Sequence, residues 1–210
     1  MNVYIQYFVK RRSPIGLMIA LGLLSGLGAT AQSSARTYHT SSPPAAACAD
    51  GVATTDEAGP ALLRTCRDAL AARDLSRSDR AATLVNTGIL EMRRGDSSEA
   101  LALFEQASVL DTDLPDIRIN IAAAQIRGGT PDLALDTLSE IESVAPSQRH
   151  IALFNRGLAY WHLEDFGRAY ADFSRAAELR PDYAAALNML DHFTVDTPAQ
   201  AHANLAAHPG

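Results

Sequence analysis

Three histidines near the C-terminus are the first side chains that could hold a metal ion: His192, His202 and His208. Imidazole nitrogens are common ligands of transition metals. Histidines scattered near a chain end are, however, far more often surface residues than metal ligands. We therefore predict no metal site in this stretch.

The acidic stretch 111–116 is the second place where a cation could bind, through Asp111, Asp113 and Asp116. These aspartates lack the ligand order of a calcium loop, and we interpret them as helix caps and solvated charge. The chain also has no phosphate-binding glycine loop, no His-Glu-x-x-His, no Gly-x-Ser-x-Gly and no recognisable Cys–His pair. The sequence therefore predicts a protein that is not an enzyme and needs no cofactor.

The two cysteines, Cys48 and Cys66, are the remaining candidates for covalent chemistry. In an exported chain an even number of cysteines favours a disulfide. A bridge across this 18-residue separation would contribute about 3 kcal/mol in the chain-entropy treatment. The alternative is a pair of buried free thiols. Two cysteines are too few for a structural zinc site.

Residues 1–31 have the pattern of an export signal. Lys10, Arg11 and Arg12 form a basic segment, residues 15–28 are apolar, and residues 29–31 read Ala-Thr-Ala, a small-x-small cleavage pattern. The alternative is an uncleaved anchor, although the apolar run is shorter than the roughly 20 residues of a spanning helix. We expect a bacterial protein that is periplasmic or secreted and leaves the membrane once the signal is cleaved.

The charge of the remaining chain limits its partners. The whole chain has a net charge of −6, and without residues 1–31 it keeps 15 basic and 24 acidic side chains. Nucleic acids and anionic membrane surfaces both bind basic proteins. We therefore expect a protein or peptide partner and no nucleic acid.

The chain divides into a polar segment and a periodic one. Residues 32–55 are rich in Ser, Thr, Pro and Ala, which predicts a flexible linker, and residues 56–208 carry apolar residues at helical spacing. Within them Gly88, Ala122 and Gly157 are 34 and 35 residues apart. Three further columns keep the same spacing: Ala100, Ala134 and Ala169; Phe104, Leu138 and Phe173; Ala107, Ile141 and Ala176. These columns indicate internal repeats of helical hairpins.

The repeats resemble the tetratricopeptide repeat family, most closely in the third unit. That unit has the family's residues at these positions: Leu153, Gly157, Tyr160, Ala169, Phe173, Ala176 and Pro181. The first unit, 81–114, has threonine in place of the closing proline, and the second, 115–147, diverges most. The resemblance covers about half of the chain. It implies an all-α fold, a right-handed superhelix of antiparallel helical hairpins with about three units.

Flanking helices are expected on both sides of the repeats. Residues 57–73 predict an N-terminal capping helix, and residues 182–191 and 198–207 predict closing helices. Inside the repeats, Gly88 and Gly157 lie in the middle of helices, where glycine costs up to about 1 kcal/mol. That cost is understandable if a neighbouring helix packs against the bare backbone.

The family resemblance implies a concave groove lined by the first helix of each unit. The positions carried over as partner-binding are Asn86, Ile89, Arg93, Asn120, Arg127, Phe154, Asn155, Leu158, Trp161 and His162. The three asparagines form one column, which could bind the backbone of an extended peptide or could bond within the scaffold. The apolar members could form a groove floor or part of the core.

These observations predict an exported scaffold or adaptor that holds a partner protein or extended peptide in its groove. The alternative is a self-associating structural module, or a subunit of an envelope complex, without a peptide groove. The two differ in oligomeric state, because self-association makes the mass depend on concentration.

Overall fold

Helices that follow one another along the chain form almost the whole of the described structure. A computed structural model describes residues 8–11, 42–55, 57–111 and 117–196. The helices are α1 (Pro43–Thr54), α2 (Pro60–Ala71), α3 (Arg77–Arg94), α4 (Ser97–Leu110), α5 (Ile117–Arg127), α6 (Pro131–Thr137), α7 (Arg149–His162), α8 (Phe166–Leu179) and α9 (Ala184–Leu190). A 3-10 turn (Ile141–Ser143) follows α6, and there are two short strands, β1 (Phe8–Arg11) and β2 (Phe193–Asp196). The predicted all-α class is confirmed.

The helices pack as a series of hairpins. Helix α1 packs on α2, α3 on α4, α5 on α6 and α7 on α8. The first helix of a hairpin also packs on the hairpin before it, so that α3 contacts α1 and α2, and α7 contacts α5 and α6. In such a stack each repeat buries its apolar surface only against its neighbours. The described part of the chain thus has four hairpins in succession, with α9 packed on α8.

The first hairpin lies partly in the segment that the sequence assigned to a flexible linker, and that assignment is wrong for residues 43–54. Pro43 and Pro44 occupy the first turn of α1, where the missing N–H of proline costs nothing. The alanine-rich sequence that follows has high helix propensity. Cys48 in α1 and Cys66 in α2 form the predicted disulfide, with their Cα atoms 4.8 Å apart. The bridge therefore joins two helices of one hairpin.

Side-chain caps begin the longer helices of the stack. The Ser76 side chain accepts a hydrogen bond from the backbone N–H of Asp79 at the start of α3. Asp96 and Asp165 cap α4 and α8 in the same way. Gly95, which ends α3, has φ +89°, a left-handed conformation that a residue with a β-carbon rarely adopts. Asp96 and Asp165 thus lie in the turns between the two helices of the second and the fourth hairpin.

Two glycines allow close packing inside the second and fourth hairpins. A β-carbon on Gly88 would lie 2.5 Å from Cε1 of Phe104, and one on Gly157 would lie 2.7 Å from Cε1 of Phe173. Both phenylalanine side chains are fully buried. The mid-helix glycines therefore allow the close helix packing that the sequence predicted. The group that packs against each glycine is the phenylalanine ring from the second helix of the same hairpin.

The third hairpin has a shortened second helix. Helix α6 spans 7 residues, whereas α4 and α8 each span 14. Ile141 stands in the column that alanine fills in the neighbouring units, and its larger side chain is buried in the 3-10 turn. The hydroxyl of Thr137, the last residue of α6, donates to the backbone oxygen of Leu133 and approaches Oε1 of Gln125. The second helix of this hairpin thus ends before the position of Ile141, where the two neighbouring units have alanine inside a continuing helix.

The two strands form an antiparallel pair that the sequence did not predict. Phe8 pairs with Asp196, and Arg11 pairs with Phe193. Strand β1 also contacts α8. It lies inside the segment predicted as an export signal, of which residues 1–7 and 12–31 lie outside the described residues. The second predicted closing helix, 198–207, lies outside them as well, and none of the described helices combines the length and apolarity that crossing a membrane requires.

Candidate partner-binding face

The ten residues predicted to bind a partner all lie on the first helices α3, α5 and α7. The structure buries six of them: Asn86, Ile89, Asn120, Phe154, Asn155 and Leu158. Every residue of α3 from Ala81 to Met92 is buried. The buried apolar members belong to the hydrophobic clusters that join successive hairpins. As the chain is folded here, these six side chains present almost no surface to a ligand, and the apolar floor is core.

The asparagine column bonds within the scaffold at one of its three positions. The Nδ2 atom of Asn155 donates to the backbone oxygen of Ile119 at 3.2 Å, which links α7 to α5. Asn86 is fully buried, and neither its Nδ2 nor its Oδ1 has a hydrogen-bond partner. A buried amide without partners costs about 1–3 kcal/mol. Equivalent positions in the column thus differ in their energetics.

Two arginines at the C-terminal ends of first helices also join neighbouring hairpins. Nη1 of Arg93 donates to the backbone oxygens of Val52 and Thr55 at 3.1 and 2.7 Å, at the end of α1. Nη2 of Arg127 donates to the backbone oxygen of Met92 at 3.2 Å, near the end of α3. Cations are favourable at these helix ends, where carbonyl groups lack partners. Burial lowers the pKa of Arg127.

Helix α7, the first helix of the fourth hairpin, ends in an aromatic cluster beside an exposed histidine. The ring of Trp161 lies 5.3 Å from those of Phe166 and Phe193 and 6.0 Å from that of His192, with all distances taken between ring centroids. His162 is exposed, although desolvation by the surrounding protein still lowers the pKa of its imidazole. The reachable members of the predicted site are therefore those at the ends of the helices: Arg93, Arg127, Trp161 and His162. We call these four residues the helix-end row.

A polar cleft beside the shortened α6 is a site that sequence reasoning missed. It has a volume of about 640 Å³ and is lined by the 3-10 turn, by the start of α7 and by α8. Two hydrogen bonds of 2.7 Å join Arg156 to the buried carboxylate of Asp172 on one wall. This pairing raises the pKa of the Arg156 guanidinium. One feature of the sequence could have indicated this cleft. Ile141 stands where the other two units have alanine, and this is where the second helix is interrupted.

The other candidates for chemistry take structural positions or fall outside the described residues. His192 packs on Trp161, whereas His202 and His208 lie outside the described residues, as do Asp113 and Asp116. Within the ranges that the structure describes, no three His, Cys, Asp or Glu side chains are grouped so as to hold a metal ion.

Comparison with known families adds one match. Residues 150–183 match the profile of the family described as tetratricopeptide repeat. The chain contains a tetratricopeptide repeat. The repeat coincides with α7 and α8, the hairpin that carries the family's residues most completely. No curated protein matches the chain.

Tetratricopeptide repeats are generally modules for protein–protein interaction and do not themselves catalyse reactions. Their stacked hairpins provide extended surfaces that suit proteins and peptides as partners. The remaining three hairpins show the same nearest-neighbour packing as the tetratricopeptide repeat at 150–183. The coarse class of the protein is therefore an interaction scaffold.

Proposed function

We propose that this protein is an exported adaptor that binds a partner protein or an extended peptide through the helix-end row. The observation that carries the proposal is the succession of reachable side chains at the ends of α3, α5 and α7, on a tetratricopeptide stack whose other predicted contact residues are buried. The signal pattern in residues 1–31 and the Cys48–Cys66 disulfide support export to an oxidising compartment.

The chemistry of the row suggests what a partner would offer. The guanidinium of Arg127 donates to a neutral backbone oxygen, so its positive charge is not neutralised by that bond. A carboxylate is the usual anionic partner of arginine. Trp161 and His162 lie next to each other at the end of α7 and add an aromatic surface. Aromatic and arginine side chains are enriched among interface residues that dominate binding energy.

Site-specific photo-crosslinking tests the proposal. A photoreactive phenylalanine analogue would replace His162, which is exposed on a first helix. The matched control would carry the same group in place of Glu105, which is exposed on the second helix α4. We expect the same partner to be captured in cells by the protein labelled at 162 and at least tenfold less by the protein labelled at 105.

The possible outcomes separate the two functions. Equal capture from both positions, by folded proteins, would contradict binding at the helix-end row. Capture of a second copy alone, together with a mass that rises with concentration in light scattering, would support the alternative of self-association.

A further inference from the structure

Strand β2 is anchored to the helical body by its first residue. Phe193 is buried, and its ring centroid lies 5.3 Å from that of Trp161, 5.5 Å from that of Tyr170 and 6.1 Å from that of Phe173. These contacts come from α7 and α8, and they do not involve β1. The position of β2 is therefore set by the repeat stack.

The backbone of β2 pairs with that of β1, residues 8–11. The pairing is antiparallel over four residues on each strand, and β1 also contacts α8. Residues 8–11 belong to the predicted export signal. Removal of that signal would leave the paired edge of β2 without its neighbour. An edge of unpaired N–H and C=O groups is a template for another strand.

We propose that β2 is an acceptor edge for an extended segment of a partner protein, which pairs with it antiparallel as β1 does in the full chain. Strand addition of this kind takes its affinity from main-chain hydrogen bonds and its specificity from alternate side chains. The proposal rests on the proposed export, because removal of the signal is what would remove β1. It concerns the backbone edge of β2, which meets the helix-end row where Trp161 contacts Phe193.

The occupant seen in the full chain indicates the chemistry of the partner segment. Strand β1 has the sequence Phe-Val-Lys-Arg, and the register places Lys10 opposite Thr194 and Arg11 opposite Phe193. The basic end of β1 therefore faces the end of β2 that follows Asp191. We therefore expect the partner segment to have the pattern of β1, two apolar residues followed by two basic ones.

A peptide-binding experiment on the full-length chain tests the edge. Two consecutive prolines, Val9→Pro and Lys10→Pro, remove two adjacent N–H groups, of which one points toward β2 because alternate residues of a strand face it. A fluorescein-labelled peptide with the sequence of residues 6–13 would then be added in trans. We expect this variant to bind the peptide at least tenfold more tightly than the parent chain, whose edge is occupied in cis, as measured by fluorescence anisotropy.

Two controls define the site. The same peptide with prolines at the two matching positions should not bind. A chain that carries Thr194→Pro and Val195→Pro in addition should lose at least tenfold in affinity. Trp161 is the only tryptophan of the chain and contacts Phe193, so its fluorescence reports whether the aromatic anchor stays folded in each variant.

A cysteine pair tests the register independently of proline. Val9→Cys with Val195→Cys places two thiols at directly opposed positions, and a crosslink within one chain should form readily. Val9→Cys with Thr194→Cys places them on opposite faces of the pair, so this control should crosslink at least tenfold more slowly.

Any of the following results would overturn the proposal: equal peptide binding by the parent and the Val9/Lys10 variant, binding that survives the prolines in β2, or equal crosslinking of the two cysteine pairs. A dimer that forms only when β1 is intact would make a second copy the occupant and would also overturn it. Failure of crosslinking at position 162 with intact peptide binding would refute the adaptor role of the helix-end row and leave the acceptor edge standing.

Discussion

The side-chain amide of Asn155 donates to the backbone oxygen of Ile119 and so joins the first helices of two consecutive hairpins. Asn86 occupies the same column of the repeat, yet both of its amide atoms are buried without a partner. The amide of Asn155 therefore makes one bond that links two first helices, although its Oδ1 is buried without a partner, whereas the amide of Asn86 makes none. This difference gives a direct test of how the column functions.

Replacement of each asparagine by leucine, which has the same branching and no polar atoms, should have opposite effects. We expect Asn155→Leu to lower the free energy of unfolding by about 1 kcal/mol, because a hydrogen bond between helices is lost. Asn86→Leu should leave the free energy of unfolding unchanged or raise it by about 1 kcal/mol, because an unsatisfied amide is removed. Urea denaturation measures both, and equal losses in the two variants would contradict the distinction.

Gly88→Ala should destabilise the protein because a β-carbon would overlap the ring of Phe104. Overpacking of a filled core costs about 1–3 kcal/mol, which outweighs the gain of up to about 1 kcal/mol in helix propensity. Gly167→Ala is the matched control, because Gly167 is an exposed helical glycine whose nearest atom stands 3.9 Å away. That variant should be as stable as the parent or more so in thermal denaturation.

The third hairpin supplies a rescue for Gly88→Ala. There the corresponding pair is Ala122 and Leu138, both buried, so alanine on the first helix is accompanied by a side chain smaller than phenylalanine directly after the second helix. We expect Gly88→Ala combined with Phe104→Leu to recover part of the stability lost in the single variant. A double variant that is destabilised by the sum of the two single changes would show that the two positions are not coupled.

The disulfide should contribute substantially to the stability of the first hairpin. The bridge closes a loop between residues 18 apart, and its removal should lower the free energy of unfolding by about 3 kcal/mol. The measurement is urea unfolding with and without reductant. The variant Cys48→Ala/Cys66→Ala is the control, because its stability should not respond to reductant. A parent chain equally indifferent to reductant would contradict the prediction.

The stability should fall as the pH drops below about 6.5, because of His150. Burial, with a smaller contribution from Arg180, lowers the pKa of this imidazole below its ordinary 6.5. Below pH 6.5 the unfolded chain therefore binds a proton that the folded chain does not, and the folded state loses up to about 1.4 kcal/mol per pH unit. The ring packs edge-on against Tyr183, with centroids 5.1 Å apart, so the site has little room for solvent.

Unfolding measured at pH 7.5 and at pH 5.5 checks this linkage. His150→Gln should reduce the difference between the two values without removing it, because burial lowers the pKa of His162 too and its contribution has the same sign. An unchanged pH dependence in the variant would show that His150 is not responsible.

The helical hairpins were predictable because their signals are local. The glycines that contact Phe104 and Phe173 depend on neighbours within one repeat, and the columns 34 and 35 residues apart show the same local pattern again in the next unit. Helix α1 was missed because Pro43-Pro44 indicates a linker as readily as a first helical turn. Its helical state is supported by packing on α3, which a local pattern does not reveal.

The candidate site was harder to predict because burial depends on the whole assembly. Family positions placed Asn86, Asn155 and Phe154 toward a ligand, yet all three are fully buried in the folded chain. The pairing of β1 with β2 depends on segments at opposite ends of the described chain. Neither feature has a periodicity that a sequence could display.

The pairing of β1 with β2 also has a consequence for the order of events during synthesis. Residues 8–11 leave the ribosome long before residues 193–196, with which they pair. At 5–20 residues per second, roughly 10–40 s separate the two strands. Throughout that interval residues 8–11 have no β2 to pair with, so under the proposed export a targeting factor would find this segment unpaired. Once β2 has been synthesised the two strands can pair, so under the same proposal the delay limits the time during which a targeting factor would find residues 8–11 unpaired.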